Sequence, residues 1–360
     1  MRASRFLFLL VLTVAAGLGA LALSLTAPQR QLAERAEGPA FPLLAALPDE
    51  AASIVVEAAE GSYRLTRSSA PGLWLLPDKG GYPAERQKVA RLVASLAGLR
   101  LYEPKTARPQ GLATLDLVEG EGGARRVLIA DAAGEPLVDA VIGKSRANVT
   151  GTGEAGTYLR YLGHDQAWLA LGTAAVPGRV EALFDDVLVS LPGSAIAEVT
   201  IRPPDGGPPL TIQREASGQA ELRLEPPAAA GESIPELDLR QIADSLSGLV
   251  FRDVRPAEQL AMPRPWLVRF TSFDGIRVTL ELAEVEGAPW ARLSAAAVPP
   301  RGAGPDAGPD AGPDAAAAAD AAAFAERLAS RTAGWAYRIN PLIYQRLTRR
   351  RTDLPVPPEE

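Results

Sequence analysis

The sequence predicts an α+β protein: two tandem duplicated modules of mostly antiparallel sheet plus packed helices, preceded by one N-terminal transmembrane helix. Three observations carry this reading. Val89, Leu92, Val93, Leu96 and Leu99 fall at i, i+3, i+4, i+7 and i+10, the spacing of one buried helical stripe. The same stripe returns at Leu239, Ile242, Ala243, Leu246 and Leu249, each displaced by 150 residues. Finally, Phe6 to Leu25 is an unbroken apolar run of about 20 residues, the length that crosses a bilayer as a helix.

The flanks of the two stripes also match. Ser53–Glu57, Tyr63–Arg67 and Leu73–Leu76 have strand character and lead through Tyr82-Pro83 into the helix Ala84–Leu99, with Pro83 expected at or near its first position. Ala197–Arg202, Leu210–Arg214 and Ala220–Leu224 lead through Ile234-Pro235 into the second copy. Both helices close with Ser-Leu-x-Gly-Leu, at Ser95–Leu99 and Ser245–Leu249, where glycine is expected as a left-handed cap. Beyond the helix, the first copy continues with Thr114–Val118, Arg126–Ala130 and Leu137–Ile142, and the second with Trp266–Phe270, Ile276–Leu282 and Trp290–Leu293. The connections are too short for crossover helices, so antiparallel hairpins or meanders are expected. Each copy ends in a tryptophan-bearing strand, Ala167–Ala170 or Gly334–Ile339, and a short helical segment, Arg179–Phe184 or Pro341–Arg350. This order, met twice, is an internal duplication.

The organisation expected is an anchor over 1–27, a stalk over 28–50, modules over 51–194 and 195–351, and a disordered tail over 352–360. A low-complexity insertion, 299–331, interrupts the second module: a Gly-Pro-Asp-Ala repeat expected as a mobile loop, then an alanine-rich helix with Phe324 and Leu328 at i and i+4, expected to do no more than connect. Arg2 and Arg5 precede the apolar run, which places the N-terminus in the cytoplasm and the rest outside it. The alternative is a cleaved signal peptide with Ala20-Leu21-Ala22 as cleavage site. The run continues past that site, which favours an uncleaved anchor. Either way the bulk of the chain is exported.

Composition narrows the function. The 360 residues carry a net charge of −6, which argues against a nucleic-acid partner. The chain has no cysteine and one histidine, so thiolate and multi-histidine metal sites, disulfides and a cysteine nucleophile are excluded. Gly151–Gly156 satisfies G-x-G-x-x-G, but a strand is expected after it where a dinucleotide loop needs a helix. Gly143-Lys144-Ser145 resembles the end of a phosphate loop, yet the required earlier glycine is Val138. His164 sits in a polar turn beside Asp165, with no nucleophile marked. Asp185-Asp186 and Glu281/Glu284 read as solvated faces, and Asn148-Val149-Thr150 is a glycosylation-type triplet too common to carry weight. Arg346, Arg349, Arg350 and Arg351 suit either a helix end or an anionic surface, the former being favoured. Tryptophans 74, 168, 266, 290 and 335 lie on strand-like runs and read as core. No catalytic, cofactor-binding or metal residue is assigned.

Trp74 with the Tyr82-Pro83-Ala84 lead-in and the Leu92–Leu99 helix, Thr157–Arg160 with Gln166–Leu169, and Trp335–Ile339 with Tyr344–Leu347 together resemble a bacterial family known only as a domain of unknown function. The sequence departs from it at Leu183-Phe184, where a tryptophan is expected, and in the Gly-Pro-Asp insertion. The resemblance implies a single-pass inner-membrane protein, bulk periplasmic, associated with an ABC-type transport system similar to the gliding-motility auxiliary transporters. It brings no catalytic residues. The function expected is that of a non-enzymatic accessory or binding component with a protein partner in that system. The alternatives are an envelope hydrolase, which needs two carboxylates roughly 5 to 9 Å apart across a cleft, and a purely structural envelope protein.

Overall fold

Both predicted stripes are buried. Val89, Leu92, Leu96 and Leu99 are fully enclosed, as are Ile242, Ala243 and Leu246, with Leu239 and Leu249 nearly so. The computed structural model describes residues 38–217, 221–227, 235–301 and 312–354, and the chain divides into two units, residues 1–184 and 185–360. The Phe6–Leu25 segment lies outside the described residues, among which no helix is long and apolar enough to cross a membrane.

In the first unit, α1 (Pro42–Ala46) precedes β1 (Ser53–Ala58), β2 (Gly61–Arg67), β3 (Trp74–Leu76) and β4 (Tyr82–Pro83). Helix α2 (Arg86–Ala97), β5 (Arg100–Pro104) and α3 (Pro109–Thr114) follow, then β6 (Arg125–Ala130), β7 (Pro136–Arg146), β8 (Gly156–Tyr161) and β9 (Ala167–Leu171). The strands form one antiparallel sheet in the order β4-β3-β2-β1-β6-β7-β8-β9-β5. Alternation sets the register: Ile54, fully buried, lies opposite both Leu65 and Ile129, while Glu57 faces out and pairs with Arg126 at 3.1 Å.

The second unit contains β10 (Val187–Val189), β11 (Ile196–Arg202), β12 (Leu210–Gln213), β13 (Arg223–Glu225), α4 (Glu236–Ala243), β14 (Leu249–Pro256), β15 (Trp266–Ser272), β16 (Ile276–Val285), β17 (Ala288–Ala297), α5 (Gly312–Thr332), β18 (Trp335–Ile339) and α6 (Pro341–Leu347). Its sheet runs β13-β12-β11-β15-β16-β17-β18-β14-β10. Read from β3 and from β13, the two sheets place corresponding strands in the same order. Each adds one strand of its own, β4 in the first and β10 in the second. The first unit nevertheless keeps a trace of β10. Pro39 bridges Arg100 as Val187 pairs with Val250, and Leu101 N–H donates to Gly38 O as Phe251 N–H does to Asp186 O. Residues 38–41, read from sequence as stalk, thus carry sheet contacts, and Phe41 and Leu44 are buried.

Four local expectations change. Thr114–Val118 is not a strand: α3 ends at Thr114, Asp116 adopts φ 56°, and Leu112 and Leu117 pack with Val141 and Ala167. Pro83 belongs to β4, and α2 is capped by Glu85, whose carboxylate accepts from Gln87 and Lys88 N–H at 2.8 Å each. Gly98 is right-handed at φ −82°, its N–H still bonding Ala94 O, whereas Gly248 takes φ +78°. The second helix tightens to a 3-10 turn over Asp244–Leu246 before that glycine. The alanine-rich helix α5 does more than connect: it packs on β16 and β17 with Ala321, Ala325 and Leu328 buried, and Thr332 Oγ1 donates to Leu293 O at 3.2 Å.

Candidate functional site

A cavity of about 670 Å³ in the second unit is lined by Gln213, Arg214, Glu215, Leu222, Arg223, Leu224, Glu225, Pro227, Leu239 and Arg301. The edge strand β13 and its neighbour β12 form one wall. Leu210, Ile212 and Arg214 occupy alternate positions and all three side chains are buried, so an arginine continues the inward face of an apolar strand. Arg214 is 5% exposed. Its Nη2 donates to Gly193 O at 3.3 Å, and its Nε has no acceptor.

The other cations of the cavity are occupied. Arg223 pairs with Glu215 and, at 3.1 Å, with Glu221. Arg301 donates to Ala197 O at 3.0 Å and lies 3.7 Å from Glu198. Among the described residues no carboxylate pairs with Arg214. Charges taken out of water are normally paired, because desolvation is costly. The repeat supplies an internal control in Arg67, since Arg67 N–H donates to Ala52 O as Arg214 N–H donates to Ala197 O. Arg67 is exposed and its Nη1 reaches two carbonyls, those of Asp49 and Ala51. At the same place in the second unit the arginine is buried, holds one carbonyl and borders a cavity.

A second cavity, about 470 Å³, lies between β10 and α5, lined by Val187–Ser190, Phe324 and Leu328, with Asp185 and Arg331 beside it. Those last two form a 3.0 Å ion pair.

None of the sequence candidates falls in the Arg214 cavity. Gly151–Gly156 is the turn from β7 to β8, with Gly151 and Gly153 at positive φ and Gly156 already in a strand. Gly143 is required by packing: a Cβ there meets Leu115 O at 2.2 Å. His164 is exposed, edge-on to Tyr161 at 6.4 Å. Glu281 lies 3.9 Å from Arg292, and the Asn148 side chain is exposed. The arginine cluster spreads over the unit rather than over a helix end. Arg349 pairs with Asp238 at 2.9 Å, Arg350 with Asp205 at 2.7 Å, and Arg351 donates to Pro226 O and Pro227 O. Arg350 also stacks 5.4 Å from the Trp266 ring centroid and holds the Asp205 carboxyl below its usual range. Trp74, Trp168 and Trp290 are buried, while Trp266 and Trp335 are half-buried.

Residues 74–263 match the model of the family described as Domain of unknown function (DUF4340). The chain belongs to this family. The matched region is just over half of the chain and holds both stripe helices. It begins in the first unit, at β3, and ends in the second, beyond β14. No curated protein and no solved structure matches.

Proposed function

We propose that this chain is a membrane-anchored, extracytoplasmic accessory protein of an ABC-type transport system, working by binding and not by catalysis. The observation that carries the reading is the uncharged run Phe6–Leu25 behind Arg2 and Arg5, with every described strand and helix C-terminal to it. Its resemblance-based context, a transporter partner at the bacterial inner membrane with the bulk of the chain periplasmic, completes the proposal. Binding is favoured over hydrolysis by the partners of the candidate carboxylates. Asp185 is held by Arg331, and Glu281 faces Arg292 across a strand pair. A glycosidase-type pair has to face substrate across a cleft.

Crosslinking in intact membranes followed by mass spectrometry tests the assignment. Recovery of a transporter subunit crosslinked to the folded units is expected. Normal expression with no transporter subunit recovered contradicts the transporter part.

A further inference from the structure

We propose that the Arg214 cavity is a binding site for an oxyanion carried on a short apolar chain, with Arg214 taking the anionic head and Leu222, Leu224 and Leu239 the apolar body. A guanidinium presents five N–H donors. Arg214 spends one on Gly193 O, at 3.3 Å, and among the described residues no carboxylate pairs with it, although the side chain is 5% exposed and lines the cavity. Such a group is held at a cost unless an acceptor arrives, and a carboxylate or phosphate oxygen fits the fork geometry. The volume of about 670 Å³ falls within the ordinary range for small-molecule sites. Leucines on β13, before it and on α4 line the same space, each at most 7% exposed. A bare anion leaves that apolar surface without a partner, whereas an amphiphile uses both. Arg223 and Arg301 at the wall are offset by Glu215, Glu221 and Glu198, and Glu225 also lines the space, so Arg214 is the cation of the lining that no carboxylate among the described residues offsets.

The position of Arg67 weighs against a purely structural role. The first unit meets the same local need with an exposed arginine on two carbonyls. Burying the arginine of the second unit adds nothing to that bond and brings its charge to the cavity.

The test is a binding isotherm on the full-length protein in lipid nanodiscs, with empty nanodiscs subtracted. The probes are octanoate, octyl phosphate and octanol, so that the first two arms separate a carboxylate from a phosphate head. Saturable binding of at least one anionic probe, with octanol far weaker, is expected. Arg214→Met should weaken it at least about tenfold, the loss of one charged hydrogen-bond donor, while Arg202→Met, an exposed arginine on β11, should leave it unchanged. Leu222→Trp keeps Arg214 and narrows the cavity, and should also weaken binding about tenfold; it decides the matter if Arg214→Met does not fold. The proposal is overturned by no binding of either anion, by equal binding of octanol, or by wild-type affinity in a folded Arg214→Met protein or in Leu222→Trp. The site lies within one unit and needs no transporter, so these isotherms and the crosslinks of the preceding proposal succeed or fail separately.

Discussion

Gly143 sits against the carbonyl of Leu115: a Cβ at 143 would lie 2.2 Å from that oxygen, and the next residue, Lys144, donates its N–H to it at 3.0 Å. The glycine of an apparent phosphate-loop fragment is therefore a packing residue that lets β7 pass the end of α3. Gly143→Ala forces backbone apart and should destabilise the first unit by about 1 to 3 kcal/mol, read as a fall in its unfolding midpoint. A midpoint within error of wild type would remove the packing explanation.

Tyr63 on β2 donates its hydroxyl to Pro177 O at 2.8 Å. Burial raises its phenol above the ordinary value, against a smaller opposite pull from Arg125. In the unfolded chain the phenol ionises near about 10, and in the folded unit only at higher pH. Its contribution is complete below about pH 10 and is lost as pH rises through the folded value. Tyr63→Phe should cost about 1 kcal/mol at neutral pH, and the gap to wild type should narrow under alkaline conditions. Denaturant melts at several pH values decide this; a gap that widens with pH gives the wrong sign.

Leu96 and Leu246 are fully buried at matching places in the two stripes. Leu96→Asp or Leu246→Asp loses the leucine packing, about 2 to 5 kcal/mol, and adds a carboxylate with no partner. Each should unfold its own unit. An unchanged thermal transition in Leu96→Asp would mean that the helix faces a binding partner and not its own sheet.

How much of this was legible follows from which force acted locally. The stripes, the alternating strands and the duplication were readable because each follows from a periodicity that burial enforces. Strands β5 and β14 were missed: each follows directly on its helix, and β5 has one buried residue, Leu101, to mark it. Thr114–Val118 misled because Leu117 is buried and Leu115 half-buried from a helix end and a loop, which strand periodicity does not distinguish. For the cavity, the signal existed in Leu210-x-Ile212-x-Arg214, an arginine on the inward parity of an apolar strand. Its lack of a partner depends on contacts from distant segments, which no local pattern reveals. The arginine cluster was visible, but its targets Asp238, Asp205 and Pro226 lie more than a hundred residues away in the chain.

Those arginines act as staples. The Arg349–Asp238 pair is partly shielded, with side chains 34% and 20% exposed. Arg349→Met should cost about 1 kcal/mol and leave sedimentation with anionic vesicles unchanged. Lost vesicle binding at unchanged stability would return the cluster to a membrane-surface role.

The central claim is that both units lie across the membrane from Arg2 and Arg5. The chain has no cysteine, so single cysteines at exposed turns, Ala133→Cys in the first unit and Glu258→Cys in the second, report location without background. In intact spheroplasts a membrane-impermeant maleimide should label both variants to the same extent as after lysis. Labelling that appears only after lysis would place the units in the cytoplasm and contradict the account.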